Sequence, residues 1–539
     1  MPGGDLMAVL AVRLPAEERR ITFAPGRSLR EILDETDIRV RAGCNGSGTC
    51  GLCRVKIVEG QSDKPSQNEL ISLGAGLLSQ GVRLACQVRP DDDLQIEILS
   101  LSPPAAWRCL EEGSSTAYQR YASRKSFPEP QYPLGATVDL GTTHISITLL
   151  DISTGRRLAG RRGLNPQSAS GSDVLTRLVS AKSVEQAEKL RSQVIRTIGE
   201  GLYDIGSREG IDLRLVGRVV LVGNTAMLAL LSGKNHQLLL QPRYWTEFVE
   251  CIPAETVSWG STWGIAAEAV IEVVPPLAGF VGSDLLAGVV ATGLMENGQG
   301  ALLIDFGTNT EMALWDGNNL WVASAAGGPA FEGCGISCGM PAEPGAISRV
   351  DISAATGELE VHVISGAEPQ GLCGSGLVDL LACLVGNGTL NKKGQFASVV
   401  PENGFPLCQG KRDLFLTKRD IDIFQRAKAG IGVAIDALLT KAGIGYHELR
   451  RVCIAGVFGK YLDVANGQEI GLLPAIPGHL IETPGNTALA GGEAILLSSE
   501  SEERLREARN RAKIVNLSDC SDFEALFLEH LYLQPISQV

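Results

Sequence analysis

The sequence predicts a multidomain fold: a small α+β module over residues 1–99, then a two-lobed α/β unit over residues 136–539, with a linker at 100–135 between them. Three observations predict it. A cysteine- and glycine-rich run, CNGSGTCGLC at 44–53, lies among short alternating segments near the N-terminus. A strand–turn–strand pattern, ATVDLGTTHISITLL from Ala136, returns as ALLIDFGTNTEMALW from Ala301. Between module and repeat, residues 100–135 are proline-rich, with scattered charge and no sustained periodicity. A chain of 539 residues also exceeds what one hydrophobic core organises.

In the first module AVLAVRL and RRITFAP alternate as a hairpin, SLREILDET reads as a short helix, and CRVKIVEG and LQIEIL read as strands. Cys44, Cys50 and Cys53 stand in C-x5-C-x2-C spacing, and Cys86 follows in LACQV. Three thiolates so close in sequence meet on one metal core only if the backbone loops tightly around it. Gly46, Gly48 and Gly51 permit the positive φ angles of such a loop. The four cysteines read as ligands of a [2Fe–2S] cluster, a one-electron carrier. Structural zinc is the competing metal, but zinc knuckles favour paired C-x2-C motifs, and one pair is present. The order of elements resembles the β-grasp of [2Fe–2S] ferredoxins. The five-residue first gap looks like the adrenodoxin branch rather than the plant-type C-x4-C-x2-C, which leaves the reduction potential open.

Composition narrows the partners. The formal charge is 48 minus 61, or −13, with no basic tract, which argues against nucleic acid. No apolar stretch reaches the roughly 18–20 residues of a membrane span. Thirteen cysteines without a charged-then-apolar leader point to a reducing cytoplasm, and the nine outside the cluster are expected as small buried hydrophobes. Cys334, Cys338 and Cys373 match no iron–sulfur spacing and belong with that group. Arg120, Arg124 and Lys125 are expected to solvate the linker.

In the two-lobed unit each repeat delivers an aspartate, Asp139 or Asp305, to the tip of a hairpin. Gly141 or Gly307 then lets the backbone approach phosphate oxygens, and hydroxyls of Thr142 and Thr143, or of Thr308 and Thr310, donate beside the main-chain amides, with Asn309 between the latter two. The aspartates suit Mg2+, directly or through its waters. A third motif, RVCIAGVFGKYLD, is a strand over 451–455 that ends in Ala455-Gly456, with a helix after Gly459 and small residues against which a purine lies.

Together these motifs resemble the acetate kinase/sugar kinase/Hsp70/actin superfamily over residues 136 to about 500. The resemblance implies two related α/β lobes with ATP in the cleft between them. It also places Gly327 and Gly328, in GGPAFEG, at a turn that contacts nucleotide, and the helix opened by CGSGLVD with its N-terminus toward the cleft. Glu311 and Glu332 are the carboxylates expected to organise magnesium or the attacking water, with no choice between them. VVLVGNTAM at 219–227, AGGPAFEGCGISCGMPAEPGAI at 326–347 and GLCGSGLVDLLACL at 371–384 are similar to one branch, the reductive activators of corrinoid proteins. Two departures stand out: His144 occupies a place where a third threonine is common, and Thr310 one where glycine is common. His144 is expected to be partly exposed and without a special task. The small extra domain common between ferredoxin and ATPase is missing, so a homodimer is admitted but not required.

That branch implies a mechanism. A ferredoxin potential near about −400 mV is too high to refill a stranded Co(II) corrinoid unaided, and ATP becomes useful where the acceptor lies lower or must be deformed first. The implied partners are the corrinoid protein of a methyltransferase system and an external low-potential reductant, with the loop 324–340 approaching the corrinoid. Two other functions compete. An ATP-driven electron donor to a dehydratase or reductase usually carries a [4Fe–4S] cluster and no ferredoxin domain. A redox-sensing nucleotide-binding regulator would need a DNA-binding helix pair or a basic face, and neither is apparent.

Overall fold

The computed structural model describes residues 7–14, 17–33, 36, 38, 40, 46, 48, 51, 53–99, 107–110, 132–171, 173–296, 298–325, 327–333, 335–353, 358–401, 403–408 and 413–536. At the N-terminus, β1 (Ala8–Arg13), β2 (Glu18–Phe23), β3 (Arg54–Glu59), β4 (Val82–Leu84) and β5 (Leu94–Ile98) form one sheet in the order β2-β1-β5-β3-β4. β1 and β2 pair antiparallel as the alternation predicts, whereas β1 and β5 run parallel. Leu10, Val12, Val55, Leu84 and Ile96 point from the sheet into a core closed by Leu29, Ile32 and Leu33 of helix Leu29–Leu33. A second helix, Gln67–Ser79, starts at a reciprocal cap between Ser66 and Glu69 and kinks at Gly74, whose φ is +71°.

The C-terminal half holds two six-stranded sheets of matching topology. In the first, β7 (Leu134–Leu140), β8 (His144–Asp151) and β9 (Arg157–Leu164) form an antiparallel meander; β10 (Val216–Gly223) runs parallel to β7, and β11 (Val270–Val273) parallel to β10. In the second, β12 (Ala301–Phe306), β13 (Thr310–Trp315) and β14 (Leu320–Ala325) repeat the meander, followed by strands Arg451–Ala455 and Ile481–Gly485 in the parallel places. Each sheet gains one edge strand. Strand Ala512–Ile514 pairs with β14, and β6 (Arg108–Cys109) pairs with β9.

β6 lies inside the span expected to be linker. Trp107 seats against two glycines that leave room for its ring: a Cβ on Gly163 would stand 2.9 Å from the indole, and one on Gly201 2.7 Å. Residues 107–110 are therefore part of the first lobe. The physical reason is the indole, whose apolar surface finds a groove that the sequence pattern does not advertise.

The lobes are joined by two helices. Helix Ser283–Thr292 follows β11 and helix Thr487–Leu497 follows strand Ile481–Gly485, and they cross at small residues. A Cβ on Gly491 would lie 1.9 Å from the Ala287 carbonyl oxygen, so the backbones touch. Thr487–Leu497 also lies on the first lobe's sheet, with Gly492 over Thr137. Arg157 fixes it there through two hydrogen bonds of 2.9 Å to the buried Glu493 carboxylate.

Candidate functional site

The strand-tip motifs of both lobes open onto one cleft, lined among others by Asp139, Gly141, Thr142, Thr143, Asp305, Gly307, Thr308, Asn309, Glu311, Glu332 and Gly456. Each aspartate ends a buried strand, and β-pairing sets what faces it: Asp305 stands opposite Glu311, and Asp139 opposite Ser146. The two tips are linked through one carboxylate. Glu332 Oε2 accepts from Thr143 Oγ1 at 2.8 Å and from Thr308 Oγ1 at 3.0 Å, and the two hydroxyls are 3.1 Å apart. A carboxylate that collects hydroxyls from both tips marks where an anionic oxygen is welcome.

Beneath the tips lies a group of carboxyls. Burial, with Asp139 adding repulsion, raises Asp305 to about 7. Burial raises Asp139 to about 6 against the stabilising Asn486 amide, which donates to its Oδ2 at 2.7 Å. Asp284, at the start of helix Ser283–Thr292, is pushed up to about 8 by burial and then by Asp305 and Asp139. Glu311 rises well above its ordinary value for the same kind of reason, with Asp284 the leading neighbour. Its Oε2 is buried without a hydrogen-bond partner among the described residues. Buried like charges of this kind call for a cation. Among the described residues no trio of His, Cys, Asp or Glu is arranged to hold a metal ion directly.

Other polar groups hold the tips in place and were invisible in the motif. Asn165 Nδ2 donates to the Gly141 carbonyl at 2.9 Å. Asn224 Nδ2 donates to Thr142 Oγ1 at 2.9 Å. Arg177, fully buried, donates to the carbonyls of Thr142 at 2.7 Å and Gly171 at 2.8 Å. Asn224 and Asn486 share one sequence signal, G-N-T-A before an apolar run, and both cap the helix that follows.

Several expected residues sit differently. Gly456 has φ +88° and backs onto the second tip, where a Cβ would stand 2.4 Å from the Phe306 carbonyl oxygen and 3.1 Å from Asp305 Oδ1. The helix begins at Gly456 and not after Gly459. Gly459 and Gly327 do not line the cleft. Each allows close packing, on the carbonyls of Ile454 and Ala427 respectively. Gly328 opens helix Gly328–Phe331, which contributes Phe331 to the lining. Cys373 does line it, as the cap of helix Gly374–Gly386. Cys334 lies outside the described residues. His144, partly exposed as expected, lines the cleft and pairs through Nδ1 with Arg162 Nη2 at 2.9 Å.

In the N-terminal module Cys44 and Cys50 lie outside the described residues. Cys53 and Cys86 are buried on adjoining segments, where the Ala85 amide donates to the Cys53 carbonyl at 2.8 Å. Gly46, Gly48 and Gly51 have φ of +88°, +79° and +66°, the backbone that a cluster-enclosing loop requires. Gln87 Nε2 donates to the Gly46 carbonyl at 2.7 Å and lies 3.7 Å from Cys86 Sγ, which ties the loop to Cys86. This cradle fits a [2Fe–2S] group.

Three regions match known families: residues 13–91 the 2Fe-2S iron-sulfur cluster binding domain, residues 134–297 the RACo middle region, and residues 299–538 the C-terminal domain of RACo, the ASKHA domain. The chain is similar to the corrinoid activation enzyme RamQ of Eubacterium limosum, with 32% identity over 396 residues, 69% of this chain and 66% of that protein. It is similar to the Co(II) methylated amine-specific corrinoid protein reductase of Methanosarcina barkeri, with 27% identity over 395 residues, 67% of this chain and 70% of that one. The chain therefore spans just under two thirds of the first relative's length. A solved structure described as a reductive activator for corrinoid, iron-sulfur protein superposes with a TM-score of 0.66 at 27% identity, over 98% of this chain and 99% of that one. No described helix is long and apolar enough to cross a membrane.

Proposed function

The chain belongs to the RACo family, and from that premise we propose that it reductively activates a corrinoid protein, using MgATP to return cobalt from Co(II) to Co(I). One observation carries the reading: a single chain joins a module fitted for a [2Fe–2S] cluster to a cleft where two phosphate-type strand tips meet. When bound, the cluster supplies single electrons and is recharged by an external low-potential reductant.

The cleft's own residues do the rest. The backbone amides and hydroxyls at Gly141–Thr143 and Gly307–Asn309 hold the polyphosphate from opposite lobes, so a bound triphosphate binds the closed arrangement better than an open one. Asp139 and Asp305 orient the waters of Mg2+, with Asp284 and Glu311 behind them. Of the two candidate carboxylates, Glu332 is the better placed to orient the attacking water. It reaches both tips, and burial raises its pKa in spite of the threonine hydroxyls. Glu311 lies a strand away, at the foot of the second tip. ATP assists reduction only to the extent that closure favours one docking state of the corrinoid partner.

The test mixes pre-reduced protein with a Co(II) corrinoid protein and follows the Co(I) absorption band. The band is expected with MgATP and absent with MgADP; equal Co(I) yield without nucleotide overturns the reading. An electron donor to a dehydratase is the rival, and a four-iron spectrum after anaerobic reconstitution would favour it.

A further inference from the structure

Two arginines approach the first strand tip, and they are used in opposite ways. Arg177 is fully buried and directs its donors to main-chain carbonyls, Thr142 O among them. It pins the loop and has little left to give. Arg162, on β9, lines the cleft together with Thr143, Glu332 and Asp139. Among the described residues it makes one hydrogen bond, from Nη2 to His144 Nδ1, and no ion pair. A guanidinium carries five N–H donors and no acceptor, so most of Arg162's hydrogen-bonding capacity faces the open cleft.

The His144 contact explains how the arginine is aimed. Arginine can only donate, so Nδ1 must carry the lone pair and the ring proton sits on Nε2. Burial, reinforced by Arg162 and Arg108, holds His144 well below its ordinary pKa, in agreement with a neutral ring. A neutral acceptor at the hairpin's edge orients the cation without neutralising it. A carboxylate in that place would have formed an ion pair and consumed the charge. The histidine where a threonine is common thus has a use.

We propose that Arg162, aimed by His144, donates to the γ-phosphoryl oxygens of ATP and stabilises the charge that they gather in the transition state. The inference rests on the ATPase reading above. During hydrolysis the bond from phosphorus to the β,γ-bridging oxygen breaks and its electron pair leaves with ADP. The water oxygen bonds to phosphorus, and its proton passes to Glu332. Arg162 forms no bond in this sequence. It is the cation, supplied from within the same chain, that the two threonine hydroxyls cannot provide. His144 is a positioning residue.

The experiment uses the full chain with its cluster loaded, and compares wild type with Arg162→Gln, Arg162→Lys and His144→Leu. Cluster absorbance and thermal unfolding check that each variant is folded. Affinities for MgADP alone and for MgADP with aluminium fluoride, a mimic of the transferring phosphoryl group, are then measured beside ATP turnover. Arg162→Gln is expected to lower kcat about 100-fold and to lose the extra affinity that fluoride confers, while MgADP affinity stays within about threefold of wild type. Arg162→Lys should recover part of both, and His144→Leu should show a smaller loss of the same two quantities. Retention of the fluoride-dependent gain by Arg162→Gln overturns the assignment, as does an equal loss of MgADP affinity. A wild-type protein that binds no nucleotide overturns the ATPase reading itself, and the role of Arg162 with it.

Discussion

Asp139, Asp305, Asp284 and Glu311 share a buried floor, and among the described residues none of them is ion-paired to a lysine or arginine. Each holds its proton more tightly in the folded state than in the unfolded chain, where carboxyls titrate near about 4. The sign of the linkage follows: stability from these groups is full below that value and is lost as pH climbs through about 6, 7 and 8. A divalent cation binds their charged forms and should restore what is lost. Saturating MgCl2, measured by thermal unfolding, is therefore expected to raise Tm more at pH 8 than at pH 5.5; an equal rise at both places the cation elsewhere. Asp305→Asn removes one of the crowded charges. The variant should melt higher than wild type at pH 8 without metal, yet lose about 100-fold in ATP turnover while its cluster spectrum is unchanged. The aspartates and threonines of the two tips were legible because a strand ending in D-x-G-T is a local pattern. Asp284, Asn224, Asn486 and Arg162 were not. Three stand on helix starts far along the chain and Arg162 on the third strand of the first meander, outside the tip pattern, and only the closed sheets bring them to the cleft.

The repeat of strand, turn and strand was readable as an element, since a buried strand leaves a continuous apolar run and its turn leaves glycine. Helix Gln67–Ser79 escaped because Gly74 and Gly76 interrupt its apolar face, and β6 because two residues carry no period. The crossing of Ser283–Thr292 with Thr487–Leu497 was hidden for a related cause: small residues mark a close approach only once the partner is known. Gly491→Val would drive a branched side chain into the Ala287 carbonyl. A loss of more than about 2 kcal/mol is expected in denaturant unfolding of the ATPase-like half. The same substitution at Gly430, where a Cβ would meet nothing within 4 Å, carries no helix-propensity cost, since valine forms helix better than glycine, and should change stability by well under that figure. Trp107→Ala empties the groove between Gly163 and Gly201, and about 2–3 kcal/mol should go with it.

For the molecule as a whole, the division into a redox module and a nucleotide module makes a reciprocal forecast. Cys53→Ala should bleach the visible spectrum and abolish cobalt reduction while ATP turnover persists, the reverse of Asp305→Asn. Loss of both properties in both variants would mean that the halves fold as one unit. The strand that Trp107 anchors bears on how such halves cooperate. Ile98 and Trp107 are nine positions apart, and at about 3.5 Å per residue the tether between them reaches no more than about 31 Å. Measured to Leu134, thirty-six positions away, it would have reached about 126 Å. Pinning one indole thus shortens the greatest possible span between the N-terminal sheet and the first lobe fourfold. For the electron transfer proposed above, so short a span sets a high effective concentration of the N-terminal module at a partner bound to the first lobe.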